Sequence, residues 1–297
     1  MSYQIVTDSS CDLPLDMIDA MGVRMVPLYV TFDGENYQKE KYDLDIREFY
    51  ERLMADKKLF PKSSLPSVQD YADVFTEYAK EGKDIICICI TTKFSGSYNS
   101  ACNAATIVKE EYPNVKIEVV DSIVNTVLQG ILVKEVVRMR DNGLSFEDTL
   151  SNIARIKTTG RIIFTVGGVD YLKKGGRIGK VLISAVAVIG IKPLIILKEG
   201  EIFPGGITRN RKKSLQMVID ATKKYFADSG ANPADYEFCI GYGYDLKEAE
   251  EFKENFLKAD GEFLKINDID IYQIGAAIGV HTGPLPLGIG LIKRYDA

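Results

Sequence analysis

The chain has 297 residues, 46% of them apolar and 27% charged, with 37 basic against 42 acidic side chains for a net charge of −5. That length suggests two domains of about 150 residues each, the composition is that of an ordinary globular protein, and the mild acidity argues against a nucleic-acid binder, which needs a concentrated basic surface. Five cysteines (Cys11, Cys87, Cys89, Cys102, Cys239) are odd in number and partly sunk in an apolar run, so no disulfide framework follows and a soluble protein of the reduced cytoplasm is expected.

The chain opens without a signal pattern, because polar and acidic residues arrive by Asp8. Ile5 and Val6 end a short strand, and the turn Thr7-Asp8-Ser9-Ser10 follows. Pro14 is placed to open a helix, where its missing N–H costs nothing, and Gly22 to close it. Residues 25–30 read as a second strand. Ile46, Phe49, Tyr50, Leu53 and Met54 recur at i, i+3, i+4, i+7, i+8 and predict an amphipathic helix. Ser67, with Asp70 three residues on, forms a capping box for a helix with the apolar face Tyr71, Val74, Phe75 and Tyr78. Residues 84–90 are a continuous apolar run of strand length, as in a strand buried on both faces of a parallel sheet. Residues 116–120 repeat that pattern, and long helices follow from about Asn125 and Phe146. Such alternation predicts a parallel sheet with helices on both faces.

The pattern changes near residue 158. Strand-like runs follow at 162–166, 193–197, 201–208, 236–241, 268–273 and 285–292, with helices at 214–227 and 246–258. Two of the runs flank Lys198-Glu199-Gly200, a turn too short for a crossover helix, so they form an antiparallel hairpin. The longest apolar stretch, 181–191, stops at Lys192, well short of the roughly 20 residues that span a bilayer. The expected fold is α/β in two directly packed domains. Residues 1–157 form a parallel α/β domain, and residues 158–297 a mainly antiparallel sheet with helices on one face.

Several chemistries fail for want of their motifs. The run from Gly175 to Lys180 is one residue short of a phosphate loop, and Val181 stands where a magnesium-binding Ser or Thr belongs. There is no G-x-S-x-G elbow, G-x-G-x-x-G fingerprint or H-E-x-x-H. Cys87 and Cys89 alternate onto one side of their strand, yet no second Cys or His pair completes a zinc site, and His281 is the only histidine.

What remains is a set of polar residues in turn-like or glycine-rich settings. Ser67 is accounted for as a helix cap. Ser63 and Ser64 are not, and on local grounds read as solvated loop serines. Residues 91–98 follow the buried strand at its carboxyl end, where ligands bind on the free N–H groups of the next helix. Ser95 and Ser97 serve equally well there as N-caps, and Asp8 has the same two readings. Gly175 and Gly176 are explained as a helix C-terminus with positive φ, while Arg177, beside a wholly apolar stretch, calls for an acid partner. Arg209 and Arg211 mark a strand-to-helix passage. His281 sits among glycines that let a ligand or another backbone approach closely, although a lone histidine is more often structural.

In this order, the pieces resemble the DegV family. They are Thr7-Asp8-Ser9-Ser10, Ser63-Ser64-Leu65-Pro66-Ser67, Phe94-Ser95-Gly96-Ser97-Tyr98, Leu172-Lys173-Lys174-Gly175-Gly176-Arg177-Ile178, Lys192-Pro193-Leu194 and Val280-His281-Thr282-Gly283-Pro284. The resemblance covers roughly residues 3–294; the block from Leu172 to Ile178 and the block from His281 to Pro284 are together quite specific, and each separate serine motif is weak. It implies a long-chain fatty acid held between the two domains and presented to a fatty acid kinase, whose acyl-phosphate product feeds phospholipid synthesis. It also implies that Ser63, Ser95 and His281 hold the carboxylate. Arg177, Arg209, Ser64, Gly96 and Thr282 are then candidates for the head group or the kinase-facing surface. The chain departs from the family pattern at Ser63 and Leu65, where Thr-Ser-Gln-Pro is usual, at Phe94 and Ser97, where Leu-Ser-Gly-Thr-Tyr is common, and at Leu285-Pro286, where a glycine is common.

The physics suits such a ligand. Burying the fourteen methylenes of a sixteen-carbon acid is worth about 11 kcal/mol before binding costs, so the tail supplies the affinity, and residues 181–191 are the expected wall of its slot. The carboxylate needs hydrogen bonds but no tight arginine clamp, which would hinder transfer. On this reading the chain is a non-catalytic carrier with a fatty acid as its only ligand, no metal or cofactor, and neither nucleic acid nor membrane insertion. Two alternatives stand beside it: an acyl hydrolase using Ser95 or Ser97 with His281, and a regulatory protein that holds lipid as a structural filler.

Overall fold

The computed structural model describes residues 3–177 and 190–297. The chain first runs through β1 (Gln4–Asp8), α1 (Leu15–Ala20), β2 (Val23–Val26), β3 (Tyr29–Thr31), β4 (Gln38–Lys39), α2 (Ile46–Ala55) and β5 (Lys62–Ser64). There follow α3 (Val68–Lys80), β6 (Ile85–Cys89), α4 (Ser97–Glu111), β7 (Ile117–Asp121), α5 (Thr126–Asp141) and α6 (Phe146–Ile156). The remainder is β8 (Arg161–Thr165), α7 (Asp170–Lys174), β9 (Lys192–Lys198), β10 (Glu201–Thr208) and α8 (Arg211–Ser229), then β11 (Tyr236–Tyr242), α9 (Leu246–Leu264), β12 (Asp270–Gln273), α10 (Ala276–Thr282) and β13 (Leu287–Lys293).

The most apolar runs make the first sheet, which is all parallel in the order β2-β1-β6-β7. Every residue of β6 is buried. Tyr71 and Phe75 of α3 and Ala101 and Ala104 of α4 cover one face, and Leu128, Leu132 and Ile153 of α5 and α6 the other. The predicted capping box closes on α3: Ser67 Oγ accepts from the Asp70 N–H, and the Asp70 carboxylate accepts from the Ser67 N–H. The strand expected over 25–30 is broken. Pro27 lacks the N–H a sheet ladder needs, so β2 ends at Val26, and β3 departs into a small antiparallel sheet, β4-β3-β5. That sheet carries Ser63 and Ser64.

The second sheet has six strands in the order β10-β9-β8-β13-β11-β12, antiparallel except for the β11–β12 pair. Its hairpin turns on Glu199 and Gly200 at φ 54° and 81°, the two positive values a two-residue type I′ turn requires. Helices α8 and α9 cover one face through Val218, Phe226, Phe252 and Phe256. The other face lies on α5, where Leu128 and Ile131 share a core with Ile195, Cys239 and Ile292. Wedged between two sheets, α5 is apolar on nearly every side because it is buried on nearly every side. The last helix, α10, returns to the N-terminal half and packs Ala276, Ala277 and Val280 against Phe49, Tyr50 and Val30. No described helix is long and apolar enough to cross a membrane. The apolar stretch expected to wall a slot lies outside the described residues, apart from Gly190 and Ile191.

Candidate functional site

The two glycine-containing motifs meet each other. His281 sits in the last turn of α10, and its ring lies against the end of α7 at Gly175, where any Cβ would overlap Nδ1. Gly283, just beyond α10, is at φ 73°, and a Cβ there would lie 2.5 Å from the Tyr171 ring of α7. The expectation that both glycines of the Gly175-Gly176 pair serve positive φ holds for one only. Gly176 is at φ 68°, whereas Gly175 is right-handed at φ −74° and is glycine because the imidazole occupies the space of a side chain.

From the small sheet, β5 brings Ser63 to the same imidazole, with Ser63 Oγ 3.0 Å from His281 Nε2. His281 Nδ1 is buried against Gly175 and makes no hydrogen bond of good geometry among the described residues. Burial, and then the nearby Arg177 charge, push the imidazole pKa down to about 4, against a smaller opposing effect of the Gly175 backbone. The ring is therefore neutral at pH 7.

Arg177 does not find the acid partner expected for it among the described residues. It is exposed and donates to two backbone carbonyls, Phe94 O at 3.3 Å and Gly175 O at 2.9 Å. That brings it beside Ser95, whose Oγ accepts the Ser97 N–H at 3.1 Å, and Gly96, the N-cap of α4. Ser97 itself is structural, donating to Asp8 Oδ2 at 2.8 Å and paired with the Tyr71 hydroxyl. Asp8 is fully buried and receives hydrogen bonds from Ser10, Gln129 and the Ile90 amide as well. No described hydrogen bond joins Ser95 or Ser97 to His281; its serine partner is Ser63.

These groups border a cavity of about 140 Å³. Its walls are mostly apolar, with Ile90, Val127, Ile162, Phe164, Leu197 and Ile278 among them. The cavity shares Phe94, Ser95, Arg177 and Ile202 with a surface groove that also includes Lys93, Gly96 and Asn99. Ser64 and Thr282 line the cavity, but the Thr282 hydroxyl turns to the Ile278 carbonyl at 3.3 Å and that of Ser64 lies 3.5 Å from the Leu65 carbonyl. Arg209 is exposed between β10 and α8 and lines neither space. Arg211 is paired with Glu248 at 2.6 Å. Asn125 and Thr126 also line the cavity and had escaped the sequence reading. They follow β7, whose carboxyl end is as open to ligands as that of β6, so the rule that singled out residues 91–98 applies to them too.

Two buried acids lie near the other end of α10, Glu40 bonded to that helix and Asp12 to the start of α5. Glu40 accepts the Ala277 N–H at 2.7 Å and the Ser9 hydroxyl at 2.5 Å, and Asp12 accepts the Thr126 hydroxyl at 2.5 Å. Burial, reinforced by Glu40 and opposed by Lys41, raises the Asp12 pKa to about 7.

Residues 2–294 match the model of the DegV family, described as uncharacterised proteins. The chain is 45% identical to a stearic-acid-binding protein from Eubacterium ventriosum, with a TM-score of 0.94 over 99% of each chain. It is 28% identical to a fatty-acid-binding DegV family protein from Thermus thermophilus, with a TM-score of 0.86 over 99% of this chain and 100% of the other. A DegV domain-containing protein from Clostridium perfringens is 30% identical over 294 residues, 99% of this chain and 100% of that protein.

Proposed function

The chain belongs to the DegV family, and on that footing we propose that it binds a long-chain fatty acid between its two parts, residues 1–157 and 158–297. The observation that carries this reading is an apolar cavity bordered by neutral hydrogen-bonding groups, Ser63, Ser95 and His281, rather than by paired charges. In the tautomer that carries its proton on Nε2, the neutral imidazole donates to Ser63 Oγ and leaves the Ser63 proton for a carboxylate. Ser95 already accepts an N–H and keeps its own proton free in the same way. Each buried methylene adds about 0.8 kcal/mol, so the tail supplies affinity, and the two hydroxyls prevent the loss that burying a bare carboxylate would bring. Arg177, tied to backbone carbonyls, contributes positive charge without clamping.

A carboxylate held by hydroxyls keeps an oxygen with nucleophilic character. This suits a non-catalytic carrier that presents the acid to a fatty acid kinase for acyl-phosphate formation, with exposed Arg209 on the partner-facing side. One observation favours the alternative of a serine-dependent acyl hydrolase: the Ser63–His281 hydrogen bond resembles a nucleophile–base pair. Against it, no acid among the described residues orients Nδ1, and a pKa near 4 makes a weak base at pH 7. Mass spectrometry of organic extracts, fatty-acid titration of delipidated protein and a p-nitrophenyl palmitate assay separate the two. The expected result is a co-purified long-chain acid, about tenfold weaker binding in the Ser63→Ala/Ser95→Ala double variant, and no ester turnover. Protein that neither carries nor takes up fatty acid overturns the proposal, and Ser63-dependent hydrolysis replaces it with the alternative.

A further inference from the structure

Asn125 is the N-cap of α5, yet its side chain makes no capping hydrogen bond. It lines the cavity, and its Oδ1 is buried without a hydrogen-bond partner among the described residues. Of the neighbouring polar groups of the lining, the Thr126 hydroxyl donates to Asp12 and the Thr282 hydroxyl to a carbonyl, while no described hydrogen bond joins Asn125 to Ser63 or Ser95, whose free protons are those assigned above to the carboxylate. A buried amide end without a partner is unfavourable, and capping α5 would relieve it. Asn125 does not do so, and the loop before it is pinned by its own bonds. The Ile123 N–H is held by Asp121 Oδ1 at 2.9 Å and the Ser122 hydroxyl by the Val124 carbonyl at 3.0 Å. Ile123 and Thr126 are both in the left-handed region, at φ 52° and 49°, an unfavourable conformation for β-branched residues that persists only where surrounding contacts impose it.

We infer that Asn125 is a specificity-determining residue that selects fatty acids bearing a hydroxyl on the hydrocarbon chain over plain saturated ones, through a hydrogen bond between that hydroxyl and the amide in the cavity wall. The inference rests on the proposal that this cavity holds a fatty acid. A hydroxyl both donates and accepts, so it satisfies the amide in either orientation, whereas a methylene leaves it unpartnered.

The test is a titration of delipidated full-length protein with stearate and a series of monohydroxystearates whose hydroxyl steps along the chain, in wild type and in Asn125→Leu. One isomer, or two adjacent ones, is expected to bind wild type about tenfold tighter than the remaining isomers. In the leucine variant that preference should collapse. A flat ranking in wild type overturns the inference by itself, whether or not the variant folds, and so does a ranking that survives in Asn125→Leu. If stearate binds and the ranking is flat, only the role of Asn125 falls. If neither stearate nor any hydroxystearate binds, the fatty-acid reading falls with it.

Discussion

Asp12 shows how burial converts a side chain into a pH-dependent burden. Below the unfolded value of 3.8, both folded and unfolded chains hold its proton, and the residue is neutral toward stability. As pH rises from there to about 7, the unfolded chain releases the proton while the native one keeps it, so stability falls; above that window the loss is constant. Asp12→Asn removes the burden while keeping an acceptor for Thr126. The variant is expected to exceed wild type in stability by on the order of 2 kcal/mol at pH 8 and to match it near pH 3.5, as read from urea melts. A variant less stable than wild type at pH 8 would mean that the Asp12 carboxylate is ionised and stabilised by Lys41. His281 acts in the opposite sense. Its depressed pKa gives stability that is present above pH 6.5 and lost as pH falls toward 4.

Among the elements, the nesting of α7 on α10 decides where the imidazole points. The two adjacent glycines at the end of α7 make this testable, because they are glycine for different reasons. At Gly175 a methyl would overlap His281 Nδ1, while at Gly176 nothing among the described residues lies within 4 Å and it is the positive φ that resists substitution. Gly175→Ala is expected to displace His281, break its bond to Ser63 and weaken fatty-acid binding. Gly176→Ala should instead cost about 1–2 kcal/mol of stability through backbone strain. Calorimetric titration and thermal melts on both variants check this; equal effects on binding would show that the contact with the imidazole is immaterial.

Over the whole molecule, α5 belongs to both sheets, and the cavity draws its lining from both halves of the chain. A ligand seated there binds only when the halves are docked, so it stabilises them together. Fatty acid at about a hundred times its Kd adds roughly 2.7 kcal/mol, which for a chain of this size raises Tm by roughly 5 °C in a single transition. Two resolved transitions, of which fatty acid moves only one, would place the ligand within one half.

The parallel layer, the antiparallel layer, the capping box at Ser67 and the hairpin at Gly200 were legible in the sequence, because each rests on short-range periodicity or on the conformational needs of one or two residues. Ser63, Ser95 and His281 were singled out through resemblance, since locally the serines read as solvated loop or caps, and all three line the cavity. The break at Pro27 was signalled by its missing N–H and passed over in favour of the apolar run around it. Only the folded chain decided that His281 meets Ser63 rather than Ser95, that Gly175 is glycine for space rather than for φ, that Arg177 is held by carbonyls instead of an acid, and that Asn125 faces the cavity instead of capping its helix. Each of these depends on residues distant in sequence reaching a common point. Periodicity records which way a residue faces within its own element, and it carries no information about what the opposing element will place there.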